Sequence, residues 1–191
     1  MARLATFIVL VTAGLLYTRW RVDPTLFKER FKPAGPTQDP AAMVAIRLTA
    51  FASVCLLVAD RRWLHWSNTV PAAAAWLGLL AFALAGALTV RSLAANRFFS
   101  SAVRIQTDRG HHLVTTGPYA LVRHPGYLGM IVMVPAVVLA GGSWIATATA
   151  LVYSVLIVRR AAMEDRFLQQ NLDGYRDYAA RVRYRLLPGV W

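Results

Sequence analysis

The chain has 191 residues, of which 57% are hydrophobic and 16% are charged. Soluble globular domains are typically about 45–50% apolar and about 25% charged, so this composition excludes both an ordinary soluble domain and a disordered chain. The formal net charge is +12, which in a soluble protein would indicate nucleic-acid binding but in so apolar a chain has to be interpreted against a membrane.

Three apolar stretches predict membrane-spanning helices, because a span needs about 20 mostly apolar residues. The first covers residues 4–18. Its basic flank also fits a secretory signal peptide, but no small-residue cleavage site precedes Arg19, so we expect a retained span. The second covers residues 41–59 and is interrupted only by Arg47, and the third covers residues 71–90. The single cysteine, Cys55, lies in the second stretch and is expected to be a small buried apolar residue.

A fourth apolar stretch, residues 126–158, has 33 residues without a charge and is too long for one span. Gly141, Gly142 and Ser143 divide it into two arms of similar length, which predicts a tight helical hairpin. Pro135 is expected to kink the first arm. The sequence therefore predicts an all-α integral membrane protein with about five transmembrane helices, the last two forming a hairpin.

The basic residues predict an orientation for these five crossings. Residues 19–40, residues 91–125 and the tail from Arg159 onward fall on one side and carry 17 of the 21 lysines and arginines. Cytoplasmic loops are enriched in such residues, so the N-terminus is predicted outside and the C-terminus in the cytoplasm. This bias assigns most of the charge to orientation and to contact with membrane lipids, without a nucleic-acid partner. A multi-pass protein of a bacterial inner membrane is the predicted setting.

Three polar segments remain outside the spans. Residues 22–40 contain four prolines and predict an irregular surface loop or a short interfacial helix. Residues 96–125 form a loop rich in His, Gly and Arg. The tail from Arg159 has near-helical apolar spacing and is expected to divide into two amphipathic helices at Gly174.

A hairpin crosses the membrane twice, so the His-rich loop and the tail should emerge on the same face. On a continuing helix Arg160 and Glu164 are four residues apart and share one side, where both side chains can point at the loop. The alternative interpretation is a solvated surface ion pair. The sequence therefore predicts a polar site that faces the cytoplasm and opens sideways to lipid.

Several site chemistries are disfavoured by the residues themselves. His111 and His112 are adjacent, which directs their side chains apart, and no cysteine lies nearby, so no metal site is expected. The chain has no phosphate-binding loop, no nucleophile elbow and no dinucleotide fingerprint. Arg47 is the single ionisable residue within the predicted spans, which argues against a transport path.

The second half of the chain resembles the isoprenylcysteine carboxyl methyltransferase family, within a wider group of membrane methyltransferases that includes phospholipid N-methyltransferases. The resemblance covers roughly residues 70–191 and rests on an ordered set of motifs. These are Gly117-Pro118-Tyr119, Arg123-His124-Pro125-Gly126-Tyr127-Leu128-Gly129, the hydrophobic hairpin, Arg160, Glu164-Asp165, Tyr175-x-x-Tyr178 and Arg185-Leu186-Leu187-Pro188-Gly189. It implies a catalytic core over residues 69–191 behind a generic membrane anchor over residues 1–68.

The resemblance also implies binding of S-adenosylmethionine on the cytosolic side, by the loop together with the C-terminal helices. The cofactor-binding residues carried over from the family are His111, His112, Leu113, Val114, Tyr119, His124, Pro125, Gly126, Tyr127 and Glu164. Arg160 and Glu164 are the residues implied to be catalytic. The implied substrate is a lipid or a prenylated small molecule or peptide that enters from the bilayer.

Arg160 favours O-methylation of an isoprenylcysteine-like carboxylate, because an ionised carboxylate needs an orienting cation rather than a base. The alternative is N-methylation of a phospholipid amine, which must lose a proton to a base such as His124. More distant alternatives are a membrane reductase that uses a nicotinamide cofactor and a membrane scaffold without activity.

Overall fold

The computed structural model describes residues 2–24, 26, 40–67, 69–100 and 103–191, and within them the fold is helical without a strand. We number the helices α1 to α6 in chain order: α1 Ala2–Arg21, α2 Pro40–Ala59, α3 Ala72–Ala95, α4 Pro125–Ala140, α5 Trp144–Asn171 and α6 Tyr175–Arg181. The predicted all-α class is confirmed. The loop predicted over residues 22–40 lies largely outside the described residues.

Four of these helices are long and apolar enough to cross a membrane. They are α1, α2 together with the π-helical turn Asp60–Leu64 that continues it, α3 and α5. The fifth apolar helix, α4, is shorter, with 16 residues. The protein is therefore a multi-pass membrane protein whose helices match the predicted spans.

The predicted hairpin is formed by α4 and α5. The chain turns at Gly141 and Gly142, and Gly142 has φ 86°, a left-handed conformation that glycine adopts without a Cβ clash. Ser143 then caps α5, because its hydroxyl oxygen accepts a hydrogen bond from the backbone N–H of Ala146 at 3.2 Å.

Pro135 lies inside α4, where its missing N–H leaves the carbonyl of Ile131 without a helical donor. The hydroxyl of Ser154, on α5, donates to that carbonyl at 2.7 Å. The second arm of the hairpin therefore satisfies the polar group that the proline frees in the first, as an apolar surrounding requires.

The carboxylate of Asp60, directly after α2, is hydrogen-bonded to the turn of the hairpin. Asp60 is 1% exposed and accepts hydrogen bonds from the Ser143 hydroxyl at 2.5 Å and from the backbone N–H of Trp66 at 2.8 Å. Ser67 extends this link, since its hydroxyl accepts from the backbone N–H of Trp144 at 2.9 Å. These bonds fix the turn of the hairpin, which is separated from the His-rich loop by the length of α4.

Cys55 is exposed on the protein surface, so the expectation that it is buried was wrong. It lies on a membrane-spanning helix, where an apolar side chain facing lipid is as well solvated as one in a protein core. Sequence alone does not separate these two apolar environments.

Close packing of α3 against α4 depends on Gly129. A Cβ at this position would lie 2.1 Å from the Thr89 hydroxyl oxygen and 2.7 Å from the Ala85 carbonyl oxygen. We therefore expect Gly129→Ala to force the two helices apart and to destabilise the protein by about 1–3 kcal/mol, the usual cost of overpacking. Thermal unfolding in detergent measures this cost. Gly86→Ala is the matched control, because nothing lies within 4 Å of a Cβ there, and equal melting temperatures for the two variants would contradict the packing argument.

Candidate functional site

A narrow cleft lies between the loop that joins α3 to α4 and the helices α5 and α6. We call it the polar cleft. Its cavity volume is about 50 Å³. Seven of the predicted site residues line this cleft: His111, His112, Leu113, Val114, Tyr119, His124 and Glu164. A ligand of nucleoside size therefore needs the side chains of the walls to move apart.

Gln106 and Phe98 position the histidine pair at one wall. The backbone N–H of Gln106 donates to Nδ1 of His111 at 3.2 Å, and the Gln106 side-chain amide donates to the Phe98 carbonyl at 2.8 Å. The Phe98 ring stacks on His111 with centroids 4.5 Å apart and meets His112 edge-on at 4.9 Å. Because Nδ1 of His111 accepts a hydrogen bond, the neutral ring carries its proton on Nε2.

Burial lowers the pKa of His111 from its usual 6.5 to about 4, and the positive charges of His112, Arg104 and Arg109 act in the same direction. The unfolded chain therefore binds more protons than the folded chain between about pH 4 and pH 6.5, and His111 stabilises the fold above this window but loses that contribution as the pH falls through it. We expect the His111 ring to titrate near pH 4 in an NMR experiment on histidine-labelled protein, with His111→Gln identifying the resonance. A midpoint near 6.5 would contradict the buried, hydrogen-bonded geometry.

The chain that follows the two histidines has no regular secondary structure and has unused backbone hydrogen-bonding groups. Leu113 and Val114 are half-buried in the wall of the polar cleft. Among the described residues, neither their N–H groups nor their carbonyls have a hydrogen-bond partner. Buried backbone groups are normally paired, so this segment offers a donor and an acceptor to a ligand.

Asp165 is the polar centre behind the cleft and is completely buried. Its carboxylate accepts hydrogen bonds from Arg123 Nε at 2.7 Å, from Arg185 Nε at 2.9 Å and from the Tyr175 hydroxyl at 2.9 Å. His124 Nε2 lies 3.2 Å from the same carboxylate. Burial raises the pKa of Tyr175, with the Asp165 charge acting in the same direction, so its hydroxyl stays protonated and able to donate.

The C-terminal tail closes over this centre. The backbone N–H groups of Arg123 and His124 donate to the carbonyls of Tyr184 and Arg185 at 3.0 and 2.8 Å. The Tyr178 hydroxyl donates to the Tyr119 carbonyl at 2.7 Å. The loop before α4 and the tail after α5 are therefore joined directly, which confirms that the two predicted segments meet on one face.

Glu164 and Arg160 are joined through Tyr127. The Tyr127 hydroxyl donates to Glu164 Oε2 at 2.5 Å and accepts from Arg160 Nε at 2.9 Å. Among the described residues, the other carboxylate oxygen of Glu164, Oε1, accepts no hydrogen bond. The predicted i,i+4 pair thus shares one side of α5, with a tyrosine from α4 between the two side chains.

Arg160 does not line the polar cleft but a second, wider cavity between α2 and α5, which we call the lateral cavity. Its walls come from residues 41, 42, 45 and 46 of α2, from Val103 and from the face of α5 that runs from Leu156 to Gln170. Its cavity volume is about 560 Å³. Val103 lines both cavities, so the row Arg160, Tyr127 and Glu164 lies where they adjoin.

Pro125, Gly126 and Tyr127, three further predicted site residues, form the start of α4 beside the polar cleft rather than its lining. Pro125 provides the first residue of the helix, where its missing N–H costs nothing. Gly126 lies under the ring of Phe99, because a Cβ at this position would be 2.7 Å from the ring. These residues therefore fix where the helix and the Tyr127 hydroxyl lie.

Sequence reasoning did not assign roles to Arg123, Asp165, Tyr175 and Arg185, which together form the buried centre. Asp165 is separated from Arg123 by 42 residues and from Arg185 by 20, so no local spacing connects them. All four belong to the motifs that carry the family resemblance, and this was the one signal that pointed to them. Asn96 and Phe98 also line the polar cleft; they lie in the loop that was predicted to bind the cofactor, but they were given no role of their own.

Comparison with known proteins matches the sequence model of the phospholipid methyltransferase family to residues 73–173, more than half of the chain. A rice protein (Oryza sativa subsp. indica) described as a probable protein-S-isoprenylcysteine O-methyltransferase is 35% identical over 98 residues, which cover 49% of this chain and 51% of the relative. Protein-S-isoprenylcysteine O-methyltransferase B of Arabidopsis thaliana is 33% identical over 92 residues, 47% of each chain.

A mouse protein (Mus musculus), Delta(14)-sterol reductase, is 34% identical over 90 residues, which cover 46% of this chain and 22% of the relative. The chain thus spans about half the length of the two methyltransferases and about a fifth of the reductase. The family match covers all of α3 but its first residue, together with the loop that lines the polar cleft, α4 and α5. The chain therefore belongs to the phospholipid methyltransferase family.

Proposed function

We propose that this protein is an S-adenosylmethionine-dependent methyltransferase that methylates a carboxylate on a lipid-borne substrate, such as an isoprenylcysteine-like group. The observation that carries the proposal is the hydrogen-bonded row of Arg160, Tyr127 and Glu164 between the polar cleft and the lateral cavity. A methyl donor and a lipid acceptor can approach each other there from water and from the bilayer. Family membership supports the choice of reaction.

The polar cleft suits the parts of S-adenosylmethionine. The unpaired backbone groups at Leu113 and Val114 match the donor and acceptor of a purine edge, and Glu164 Oε1 matches an ammonium group. Tyr119 and the histidines His111, His112 and His124 provide aromatic walls for the remaining parts, with cation–π contacts of about 0.5–2 kcal/mol to a sulfonium. Pro125, Gly126 and Tyr127 support these contacts from the start of α4. When bound, the cofactor supplies a methyl group on a positively charged sulfur.

Arg160 is the residue that binds the carboxylate of the methyl acceptor. A chain-terminal carboxylate has a pKa of about 3.3–3.7 and is ionised at neutral pH, so it needs no base. A terminal N–H group of Arg160 can turn to this carboxylate from Met43 Sδ, to which Nη1 donates, while Nε holds the Tyr127 hydroxyl. Fixing the acceptor oxygen in this way supplies the positioning on which a displacement reaction depends.

The proposal extends to the orientation of the protein, the division of the chain and the partner. The charge distribution supports an orientation with the polar cleft in the cytoplasm, as in a bacterial inner membrane. The separation of the chain into an anchor over residues 1–68 and a catalytic core over residues 69–191 is consistent with a family match that begins at residue 73. A prenylated small molecule or peptide, or another lipid, is the proposed partner, because the lateral cavity faces the membrane-spanning part of α2.

The test is a methyl-transfer assay with the purified protein in lipid nanodiscs and S-adenosylmethionine labelled in its methyl group. An S-farnesylcysteine derivative with a free carboxylate should acquire label that mild base releases, because esters are base-labile. Base-stable label in phosphatidylethanolamine would instead assign phospholipid amine methylation, the second candidate that the family's description favours. Absence of label in both, together with binding of NADPH, would contradict the proposal and favour a reductase.

A further inference from the structure

The lateral cavity has a charge pattern that the proposed reaction does not require. Three arginines line it: Arg159, Arg160 and Arg166. Its described lining contains no aspartate or glutamate. The one cation needed to hold the reacting carboxylate is Arg160, so the other two are in excess.

Arg159 and Arg166 are exposed, and neither has a hydrogen bond or an ion pair with any residue in the described part of the chain. They are seven residues apart on α5, two turns along one face and about 10 Å apart along the helix axis. An anionic group between them can contact both guanidinium groups. Arg160 lies one residue after Arg159, so this anion would be close to the reacting group.

The walls of the lateral cavity change in character along α5. Leu156 and Ile46 line the part within the apolar lengths of α5 and α2, whereas Arg159, Arg160 and Arg166 line the rest together with Met163 and Phe167. The arginines line the end where α5 leaves the apolar segment. An occupant therefore needs an apolar tail and a negatively charged head, with the head at the level of the membrane surface.

We propose that the lateral cavity binds an anionic amphiphile that carries a negatively charged group in addition to the reacting carboxylate, and that Arg159 and Arg166 select it. The binding part of this proposal stands on the cavity alone, whereas the identity of the amphiphile as methyl acceptor rests on the proposed function. Arg159 and Arg166 are then specificity-determining residues. A zwitterionic head brings a cation to a wall that already holds three, so it binds more weakly.

The binding test uses two photoreactive probes with the same dodecyl tail, dodecyl phosphate and dodecylphosphocholine, with the protein in phosphatidylcholine nanodiscs. We expect dodecyl phosphate to label α2 near residue 46 and α5 between residues 156 and 170 at least tenfold more strongly. Arg159→Gln/Arg166→Gln should remove this preference. The matched control, Arg91→Gln/Arg181→Gln, changes two exposed arginines outside the lateral cavity and should retain it.

Equal labelling by the two probes, or a preference that survives in Arg159→Gln/Arg166→Gln, would overturn the proposal. Labelling that Arg91→Gln/Arg181→Gln reduces equally would do the same, since it would indicate attraction to the whole basic surface. Inorganic phosphate at millimolar concentration should not displace the probe, because the tail supplies much of the affinity, and complete displacement would contradict an amphiphile site.

The activity arm compares N-acetyl-S-farnesylcysteine with N-succinyl-S-farnesylcysteine, which carries one more carboxylate. We expect the succinyl compound to have a KM lower by about fivefold or more, and Arg159→Gln/Arg166→Gln to equalise the two values while kcat changes little. If the phosphate probe labels the cavity but neither compound is methylated, the proposed function fails and the binding site stands. If both compounds are methylated with equal KM in the unaltered protein, the selection by Arg159 and Arg166 fails and the proposed function stands.

Discussion

Replacing Arg160 by methionine is expected to reduce carboxyl methylation by about 10²-fold or more while cofactor binding survives. Methionine keeps the length and the apolar stem of the side chain but removes the guanidinium that binds the Tyr127 hydroxyl and that we propose to bind the acceptor. A misplacement of the reacting groups by about 1 Å can cost about 10²-fold in rate. Initial rates with an S-farnesylcysteine derivative, together with calorimetric binding of S-adenosylmethionine, measure the two effects separately.

Glu164→Gln is expected to weaken cofactor binding, in contrast to Arg160→Met. It keeps an acceptor for the Tyr127 hydroxyl but removes the negative charge facing the polar cleft. Charge-assisted hydrogen bonds contribute about 1.5–3 kcal/mol, so the dissociation constant for S-adenosylmethionine should rise by about 10- to 100-fold. The two variants, four residues apart on one helix, should thus impair different steps.

The matched control for the arginine is Arg181→Met, since Arg181 is exposed on α6 and lines neither cavity. It should leave both rate and cofactor affinity within about twofold of the unaltered protein. Unchanged turnover in Arg160→Met would remove Arg160 from the acceptor site. Loss of S-adenosylmethionine binding in that variant would instead move it to the cofactor side.

The fold could be predicted largely from the sequence because membrane spans are long apolar runs with charged ends. The hairpin followed from Gly141 and Gly142 inside a run that was too long for one helix. The exposure of Cys55 could not be predicted, since lipid and protein core are equally apolar. The partner of Pro135 also could not, because Ser154 is a residue of the facing helix and its hydrogen bond depends on the rotation of two helices about their axes.

The candidate site, like the fold, could be predicted only in part. The face shared by Arg160 and Glu164 followed from helical spacing, and the joining of loop and tail followed from the hairpin. That Tyr127 lies between the two side chains depends on the depth at which α4 packs against α5, which a sequence does not give. The buried centre around Asp165 was missed because its cationic partners, Arg123 and Arg185, are 42 and 20 residues away, and only folding brings them together.

Asp165→Asn is expected to be the most destabilising single substitution within residues 69–191. The carboxylate is fully buried and binds Arg123, which is 7% exposed, and Arg185. An amide in its place carries no charge and turns an N–H group toward two guanidinium groups. Breaking a buried ion pair typically costs about 3–5 kcal/mol, because a buried charge loses its partner. Thermal and denaturant unfolding in detergent, followed by tryptophan fluorescence, measure the loss.

The neighbouring carboxylate supplies the control. Glu164 is half-buried and its carboxylate bonds a single described residue, Tyr127, so Glu164→Gln should cost little stability although we expect it to weaken cofactor binding. Replacing the carboxylate of Asp165, one residue later, by an amide should mainly reduce stability. Cofactor affinity should fall only because His124 is displaced.

A double-mutant cycle separates charge from packing at this centre. Arg123→Met removes the buried cation that Asp165→Asn leaves unpaired, so the double variant should lose less stability than the sum of the two single losses, with a coupling of about 0.5–3 kcal/mol. If Asp165→Asn alone prevents folding, Arg185→Met, which removes a partly exposed partner, gives a milder measurement of the same network. Strict additivity would mean that Asp165 and Arg123 stabilise the protein independently. Unaltered stability of Asp165→Asn, with cofactor binding lost, would instead make the carboxylate a cofactor ligand.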